Sequence, residues 1–198
     1  MYAYSRSVPK LWEESIEAHR HQVRDAILDA AAKLVTEHGR RSVTMSQIAE
    51  EAGIGRATLY KYFRDIESIL HAWHAREIAV HLRQLAEVRD QVSDPALRLE
   101  AVLQTYALMV HRTRGRHDMD LGTFLHQDEH LAHAQWQLHE MIRQLIADGA
   151  GSSHLRDDVS PDELARYCLN ALNAAVGLPS EAAVLRLVKV TMTGLRST

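Results

Sequence analysis

The sequence contains few of the residues that build disulfide frameworks or membrane spans. It has one cysteine, Cys168, among 198 residues, which excludes an internal disulfide framework and fits a reducing cytoplasm. No apolar run approaches the roughly 20 residues that a membrane-spanning helix needs, and no signal peptide is visible. These absences predict a cytoplasmic protein that has no membrane partner.

Residues that interrupt helices are also scarce, with nine Gly and four Pro. Alternation with a period of two, which is typical of strands, is absent over any useful length. Apolar residues recur instead at three- and four-residue steps, the period of a helix with one buried face. The sequence therefore predicts an all-α fold, with a length that suits one large domain or two small ones.

The sequence also lacks the short motifs of common enzyme classes. It has no Gly-rich phosphate loop, no nucleophile elbow and no HExxH pair. Cys168 falls inside a predicted helix rather than in a reactive loop. We therefore expect a protein that is not an enzyme and needs no cofactor.

Charge is distributed unevenly along the chain, although the net charge is only −3. Residues 1–65 carry 10 Lys and Arg against 9 Asp and Glu, whereas the remainder carries 13 against 17. The first part is therefore slightly positive and the rest negative. This polarity suits a nucleic-acid-binding N-terminal part, but it is too weak to identify one alone.

The segment from Thr44 to Phe63 contains the strongest local signals. Thr44 and Gln47 stand three apart, as a capping box at the start of a helix requires. Gly53 can adopt the positive φ of a tight helix end, and a second short helix is predicted from about Arg56 to Phe63. Two short helices joined by a Gly turn predict a helix-turn-helix whose second helix is a recognition helix.

These residues resemble the DNA-binding domain of the tetracycline-repressor (TetR) family over roughly residues 21–81. Two positions depart from the family pattern, which often has Ser at Gly55 and Lys at Ile66. Gly is an acceptable cap, but the loss of the Lys removes a phosphate contact and lowers the expected affinity for DNA. The resemblance rests on Val43-Thr44-Met45, Ile48-Ala49, Ala52-Gly53-Ile54, Thr58-Leu59-Tyr60 and Tyr62-Phe63, and extends to 27–31, Gly39, Asp65, Glu67 and Leu70.

The resemblance implies a ligand-responsive transcriptional regulator, most simply a repressor. Such a protein binds a palindromic operator in double-stranded DNA as a homodimer and is released by a small organic molecule. The resemblance also implies three parts of the chain: an N-terminal extension (1–20), a DNA-binding domain (21–81) and a ligand-binding and dimerisation domain (82–198). Thr44 and Tyr62 are expected to contact phosphates, and Arg56, Ala57 and Lys61 to face the major groove. The full predicted DNA-binding set is Thr44, Gly55, Arg56, Ala57, Thr58, Tyr60, Lys61 and Tyr62.

Helix signals outside the motif divide the remaining chain. We predict a first helix over 19–38, preceded by a lead-in or by an arm whose Arg6 and Lys10 reach DNA. Arg40 and Arg41 follow it, either as phosphate contacts or as a solvated charge pair. A long helix is predicted over 65–93, and a Gly- and Ser-rich loop over 148–153.

The last two predicted helices carry more apolar surface than one small chain can cover. Ser160 and Ser180 stand at their starts, followed or preceded by Pro. Exposed apolar patches of this extent usually mark an interface, and the TetR resemblance implies a four-helix bundle between two copies. The alternative is packing within the monomer. The predicted interface residues are Leu169, Leu172, Leu187 and Val190.

The middle helices contain apolar residues mixed with a few polar ones, the usual composition of a pocket for a small hydrophobic effector. The alternative for each residue is the core. His126, His130 and His133 also have a spacing that could present imidazoles to a divalent ion, which leaves a metal-responsive repressor as a second hypothesis. A third hypothesis is a helical dimer whose helix-turn-helix domain has lost DNA binding and which acts only through contacts with other proteins. The predicted pocket residues are Tyr106, Met109, Val110, Phe124, His126, His130, Trp136 and Met141.

Overall fold

The computed structural model describes residues 10–112, 129–150 and 155–196, and nearly all of them are helical. Within these ranges the only strand-like pairing is an isolated bridge between Leu155 and Arg196, so the all-α prediction is confirmed. None of the described helices is long and apolar enough to cross a membrane. The helices are α1 (Lys10–His38), α2 (Met45–Glu51), α3 (Arg56–Tyr62), α4 (Ile66–Gln91), α5 (Pro95–Arg112), α6 (Glu129–Ala150), α7 (Pro161–Asn173) and α8 (Glu181–Leu195), with 3₁₀ turns at Arg40–Ser42 and Ala174–Gly177.

The chain divides into two compact units, of which the first is Met1–His74. Its core joins the apolar stripe of α1 to the inner sides of α2, α3 and the start of α4. The first helix begins at Lys10 rather than near residue 19, and residues 15–21 on it are all exposed. The fully buried large side chains of this unit are Ile27, Leu28, Ile48, Leu59 and Ile69.

The second unit, Ala75–Thr198, is built around α5. This helix packs against α6, α7 and α8, because its apolar residues recur on a face that reaches all three neighbours. Leu99, Val102 and Leu103 are fully buried on it. The side chains that meet them in one continuous core include Ile142 and Ile146 from α6, Ala165, Cys168 and Leu172 from α7, and Val184 and Leu195 from α8.

The helix starts of this unit follow the predicted cap signals. The Ser160 hydroxyl accepts the Glu163 N–H at 3.3 Å, and the Glu163 carboxylate accepts the Ser160 N–H at 3.2 Å. Ser180 likewise accepts the N–H of Ala183 at 3.3 Å. Both predicted starts are confirmed because a cap needs only residues within one turn.

The end of α6 differs from the prediction, which placed a loop over residues 148–153. The helix continues through Ala150, and Gly149 is buried rather than solvated. A Cβ at Gly149 would lie 2.5 Å from Leu155 Cδ1. The sequence has Gly at this position because the Leu155 side chain fills the space that a Cβ would occupy. Gly149 lies in the helix and does not form a loop.

Candidate DNA-binding surface

The start of α2 is fixed by the predicted capping box. Thr44 has an extended backbone, with φ −121° and ψ 155°, and its hydroxyl accepts the Gln47 N–H at 3.3 Å. The Gln47 side-chain oxygen accepts the Thr44 N–H and the Thr44 hydroxyl, each at 2.8 Å. A phosphate contact by Thr44 would therefore replace its hydroxyl bond to Gln47.

The turn between α2 and α3 depends on Gly53, whose φ is 68°. Its N–H donates to the Glu50 carbonyl at 3.0 Å, and the Ile54 N–H donates to the Ala49 carbonyl at 2.9 Å. These two bonds form a Schellman motif, which satisfies carbonyls at the end of α2 and requires a left-handed residue. The motif sets the direction in which the chain enters α3.

Helix α3 has one buried side and one exposed side. Leu59 is fully buried, and Phe63, which follows the helix, is 7% exposed. Because residues three or four positions apart share a face, the burial of Leu59 and Phe63 turns Arg56, Ala57, Tyr60 and Lys61 outward, and all four are exposed. Of the other predicted DNA-binding residues, Thr44 and Gly55 are exposed and Thr58 and Tyr62 are half-buried.

Charged side chains around the motif separate into paired and unpaired groups. Lys33 donates to Glu51 at 2.7 Å and links α1 to α2, and this bond raises the pKa of Lys33. Within the described part of the chain, Arg56 and Lys61 have no carboxylate partner. Two cations on the exposed side of α3 are thus available to a negatively charged ligand.

Arg40 is a structural residue rather than a solvated one. Its guanidinium donates to the Glu67 carboxylate at 2.7 Å, and its side chain is only 18% exposed. The bond joins the turn after α1 to the first turn of α4. Sequence reasoning missed this role because the partner lies 27 residues away.

Two contacts hold the chain where α3 ends. The Arg24 guanidinium lies 5.6 Å from the centroid of the Phe63 ring, a distance at which a cation and an aromatic face attract each other. Asp65 accepts the Ser68 N–H at 2.7 Å, and this bond lowers the pKa of Asp65. Arg64, between them, has an 87% exposed side chain, a cation near the motif that the family pattern did not single out.

The predicted pocket residues of the second unit do not form one cluster. Tyr106, Met109, Val110 and Met141 are half-buried and pack on the main core. The Tyr106 hydroxyl donates to the Asn173 side chain at 2.8 Å and is therefore already used within the protomer; burial raises its pKa.

Other predicted pocket residues lie elsewhere. Trp136 is 60% exposed and lines a surface groove, where Met141 is the other member of the predicted set among the described residues. Phe124 and His126 lie outside the described residues, as does the side chain of His130.

The histidine cluster is described only at His133. Its ring stacks on Trp136 with centroids 5.9 Å apart and an interplanar angle of 24°. Among the residues that the structure describes, no group of three His, Cys, Asp or Glu side chains is arranged to hold a metal ion. The metal hypothesis therefore receives no support from the described side chains.

The predicted interface residues differ in exposure. Val190 is 65% exposed, and Leu169 and Leu187 are half-buried. Leu172 is fully buried in the protomer core and has no surface to offer a partner, so its prediction as an interface residue is corrected. Periodicity could not separate these residues, because α7 and α8 carry apolar side chains on more than one face.

Comparison with known proteins identifies a family that the helix-turn-helix part of the chain matches. Residues 27–73 match the model described as bacterial regulatory proteins, tetR family. The chain is 40% identical over 86 residues to a helix-turn-helix-type transcriptional regulator of Mycobacterium tuberculosis, an alignment that covers 43% of each chain. The chain thus spans less than half the length of the curated relatives it matches.

Solved structures match over most of the chain. A TetR/AcrR-family transcriptional regulator from Thermobifida fusca is 20% identical, with a TM-score of 0.74 over 88% of this chain and 98% of that one. The transcriptional regulator FadR from Bacillus subtilis, crystallised with stearoyl-CoA, is 16% identical, with a TM-score of 0.65 over 86% and 98%. At these identities the likeness shows the fold. Residues 27–73 are therefore a domain of the tetR family of bacterial regulatory proteins, within a chain that shares its fold with solved TetR-family regulators.

Proposed function

We propose that the protein is a transcriptional regulator that binds a palindromic DNA operator as a dimer, represses transcription and is released by a small organic effector. The observation that carries the proposal is the exposed side of α3, where Arg56 and Lys61 have no partner among the described residues. Arg and Lys reach guanine edges in the major groove and phosphates at its rim. A helix of seven residues reads few bases, so two copies are needed for a specific site.

The first test is DNA binding. The preferred duplex is selected from a random pool, and its affinity is then measured by fluorescence anisotropy at several salt concentrations. Replacing Arg56 by Ala removes a proposed base contact and should cost about 1–3 kcal/mol on the selected site. Replacing Lys61 by Ala should also weaken binding, and where Lys61 neutralises a phosphate its removal should reduce the salt slope by about one.

Arg112→Ala is the matched control, since it removes the same charge from the second unit, where Arg112 pairs with Glu181. It should leave both the affinity and the salt slope near their original values. If Arg56→Ala and Lys61→Ala together change neither specific nor non-specific affinity, the proposed recognition surface is wrong.

Dimerisation is proposed through the exposed sides of α7 and α8. These helices expose Tyr167, Leu185 and Val190, at 44%, 42% and 65%, next to half-buried Leu169 and Leu187. Exposed apolar side chains on two consecutive helices are typical of an interface between copies. A twofold arrangement places each helix against its copy and supplies the second recognition helix.

Val190→Glu is a sharper test of the interface than a change at Leu187, because Leu187 also packs on the protomer core. In a dimer the new carboxylate would be buried without a partner in both copies, at a cost on the order of 3 kcal/mol, or about a hundredfold in dissociation constant. Leu97→Glu is the control, since Leu97 is 59% exposed on α5. Analytical ultracentrifugation should show monomers for the first variant only, and a dimeric Val190→Glu protein would exclude this face.

The effector is proposed to be an organic molecule held by the second unit. The FadR protein of Bacillus subtilis, which has a similar fold, was crystallised with stearoyl-CoA, and this likeness supports an organic effector. Release requires reciprocity: an effector that weakens operator binding tenfold must bind the DNA-bound dimer tenfold more weakly, which is about 1.4 kcal/mol of coupling. Titration of a candidate hydrophobic ligand into free and operator-bound protein measures both values, and equal affinities would exclude that molecule as the effector.

A further inference from the structure

A groove of about 360 Å³ lies in the second unit, lined by side chains of α4 and α6. Its apolar surface comes from Leu82 and Met141, which are half-buried, and from Trp136, which is 60% exposed. An apolar surface with a few convergent polar groups is the usual make-up of a small-molecule site. The polar side chains that line the groove are Arg83, Arg89, Gln137, Glu140 and Gln144.

Two of the three charges in the groove are already compensated. The Glu140 carboxylate accepts hydrogen bonds from Arg143 at 2.6 and 2.7 Å and from Gln144 at 2.8 Å, which lower the pKa of Glu140 to about 2. The Arg89 guanidinium donates to Asp90 at 2.8 and 3.2 Å. Neither group leaves a charge that a ligand must neutralise.

The remaining charge is Arg83, which is exposed and has no partner within the ranges that the structure describes. The indole N–H of Trp136 likewise has no acceptor there. The groove thus combines a free guanidinium, a free N–H donor and the side chain of Trp136, whose ring also stacks on the His133 imidazole. Guanidinium groups recognise planar carboxylates and related oxyanions, and aromatic rings pack well against other rings.

We propose that this groove binds an aromatic organic anion, with one ring against Trp136 and its acidic group at Arg83. The inference rests on the proposed function in one respect, since the bound anion would be the effector or its close analogue. Occupancy of the groove is measured without DNA, so its failure is distinguishable from a failure of operator binding.

The test compares two fluorescent probes of similar shape. One is the anion 8-anilinonaphthalene-1-sulfonate, and the other is the neutral N-phenyl-1-naphthylamine. Arg83→Gln should weaken binding of the sulfonate by up to about fivefold, the usual limit for an ion pair near solvent, and leave the neutral probe unaffected. Trp136→Leu should weaken both probes, because both lose the aromatic face.

Arg112→Gln is the matched control and should change neither affinity, since Arg112 does not line the groove. Circular dichroism establishes that each variant is folded, and the exposure of Arg83 and Trp136 makes both changes compatible with the fold. Equal effects of Arg83→Gln on the two probes, or none on either, would overturn the proposal. So would unaltered binding of both probes by Trp136→Leu.

Discussion

Substitution of Gly149 by Ala tests the packing at the end of α6. Gly149 and Gly194 are each the penultimate residue of their helix, in α6 and α8. Replacing Gly by Ala inside a helix gains up to about 1 kcal/mol, because Ala loses less backbone entropy. The two sites therefore share nearly the same intrinsic gain and differ in the side chain that the new methyl group would meet.

At Gly149 the methyl group would lie 2.5 Å from Leu155 Cδ1 and 3.2 Å from Cγ. Leu155 is only 4% exposed, so its side chain cannot turn toward water, and overpacking of this kind costs about 1–3 kcal/mol. At Gly194 the methyl group would lie 2.9 Å from the Tyr167 hydroxyl. Tyr167 is 44% exposed in the protomer, and in the Val190→Glu variant, which should be monomeric, it can move outward at little cost.

We therefore expect Gly149→Ala to lower the free energy of unfolding by about 1 kcal/mol and Gly194→Ala to raise it by up to about 1 kcal/mol. Urea unfolding followed by circular dichroism measures both changes in the Val190→Glu background, at one fixed protomer concentration, because the proposed dimer would otherwise contribute to stability. A third measurement makes the same Gly149→Ala change in a Leu155→Ala background, where the obstructing atoms are absent.

In that background the Gly149 substitution should become stabilising, and the difference between the two backgrounds is the coupling energy of the two residues. Leu155→Ala by itself should cost about 2–5 kcal/mol, and this cost cancels from the cycle. If Gly149→Ala stabilises the original protein as much as Gly194→Ala does, Leu155 does not occupy the space beside the glycine and the packing argument fails.

Two further predictions concern the caps of the helix-turn-helix and the buried thiol. Thr44→Ala should lower the free energy of unfolding by about 1 kcal/mol, because it removes the cap of α2. Gly55→Ser should raise the free energy of unfolding by a few tenths of a kcal/mol, because the extended backbone at this position lets a Ser hydroxyl accept the Thr58 N–H. Thermal unfolding of both variants checks the opposite signs. Burial raises the pKa of the Cys168 thiol to about 12 from its ordinary 9.0. Because the unfolded chain releases this proton more readily than the folded protein, the contribution of the thiol to the free energy of unfolding is complete below about pH 9 and is lost as the pH rises towards 12. Cys168→Ala should remove this alkaline loss, and a disulfide reagent at pH 8 should label the thiol only after unfolding; rapid labelling of the folded protein would contradict the burial.

Local signals in the sequence were sufficient for the helix-turn-helix. Thr44 and Gln47 form the predicted capping box, and Gly53 has the positive φ that the turn requires. Each of these features depends on residues within one or two turns, so the chemical identity of a few neighbours determines the geometry. The exposed side of α3 follows from Leu59 and Phe63, because their burial fixes the rotation of the helix.

Features that depend on distant packing were not predictable in the same way. Leu172 and Val190 are both aliphatic residues on amphipathic helices, yet the first is fully buried and the second is 65% exposed. The pattern gives the period of a helix but not which neighbour covers each side. Trp136 is exposed although aromatic residues are usually covered, and Arg40 is bound to Glu67 through a contact that only the tertiary fold creates.

The position of α8 in the core has a consequence for the order in which the protein is made. Val184, Val188, Met192 and Leu195 all belong to the core of the second unit, whereas the first unit closes by His74. Translation at roughly 5–20 residues per second leaves a delay of about 6 to 24 s between the two events, since about 120 residues separate them. During that interval the nascent chain carries a completed first unit while the second unit cannot close, and a ribosome that stops early releases the helix-turn-helix without the two helices proposed to form the dimer interface.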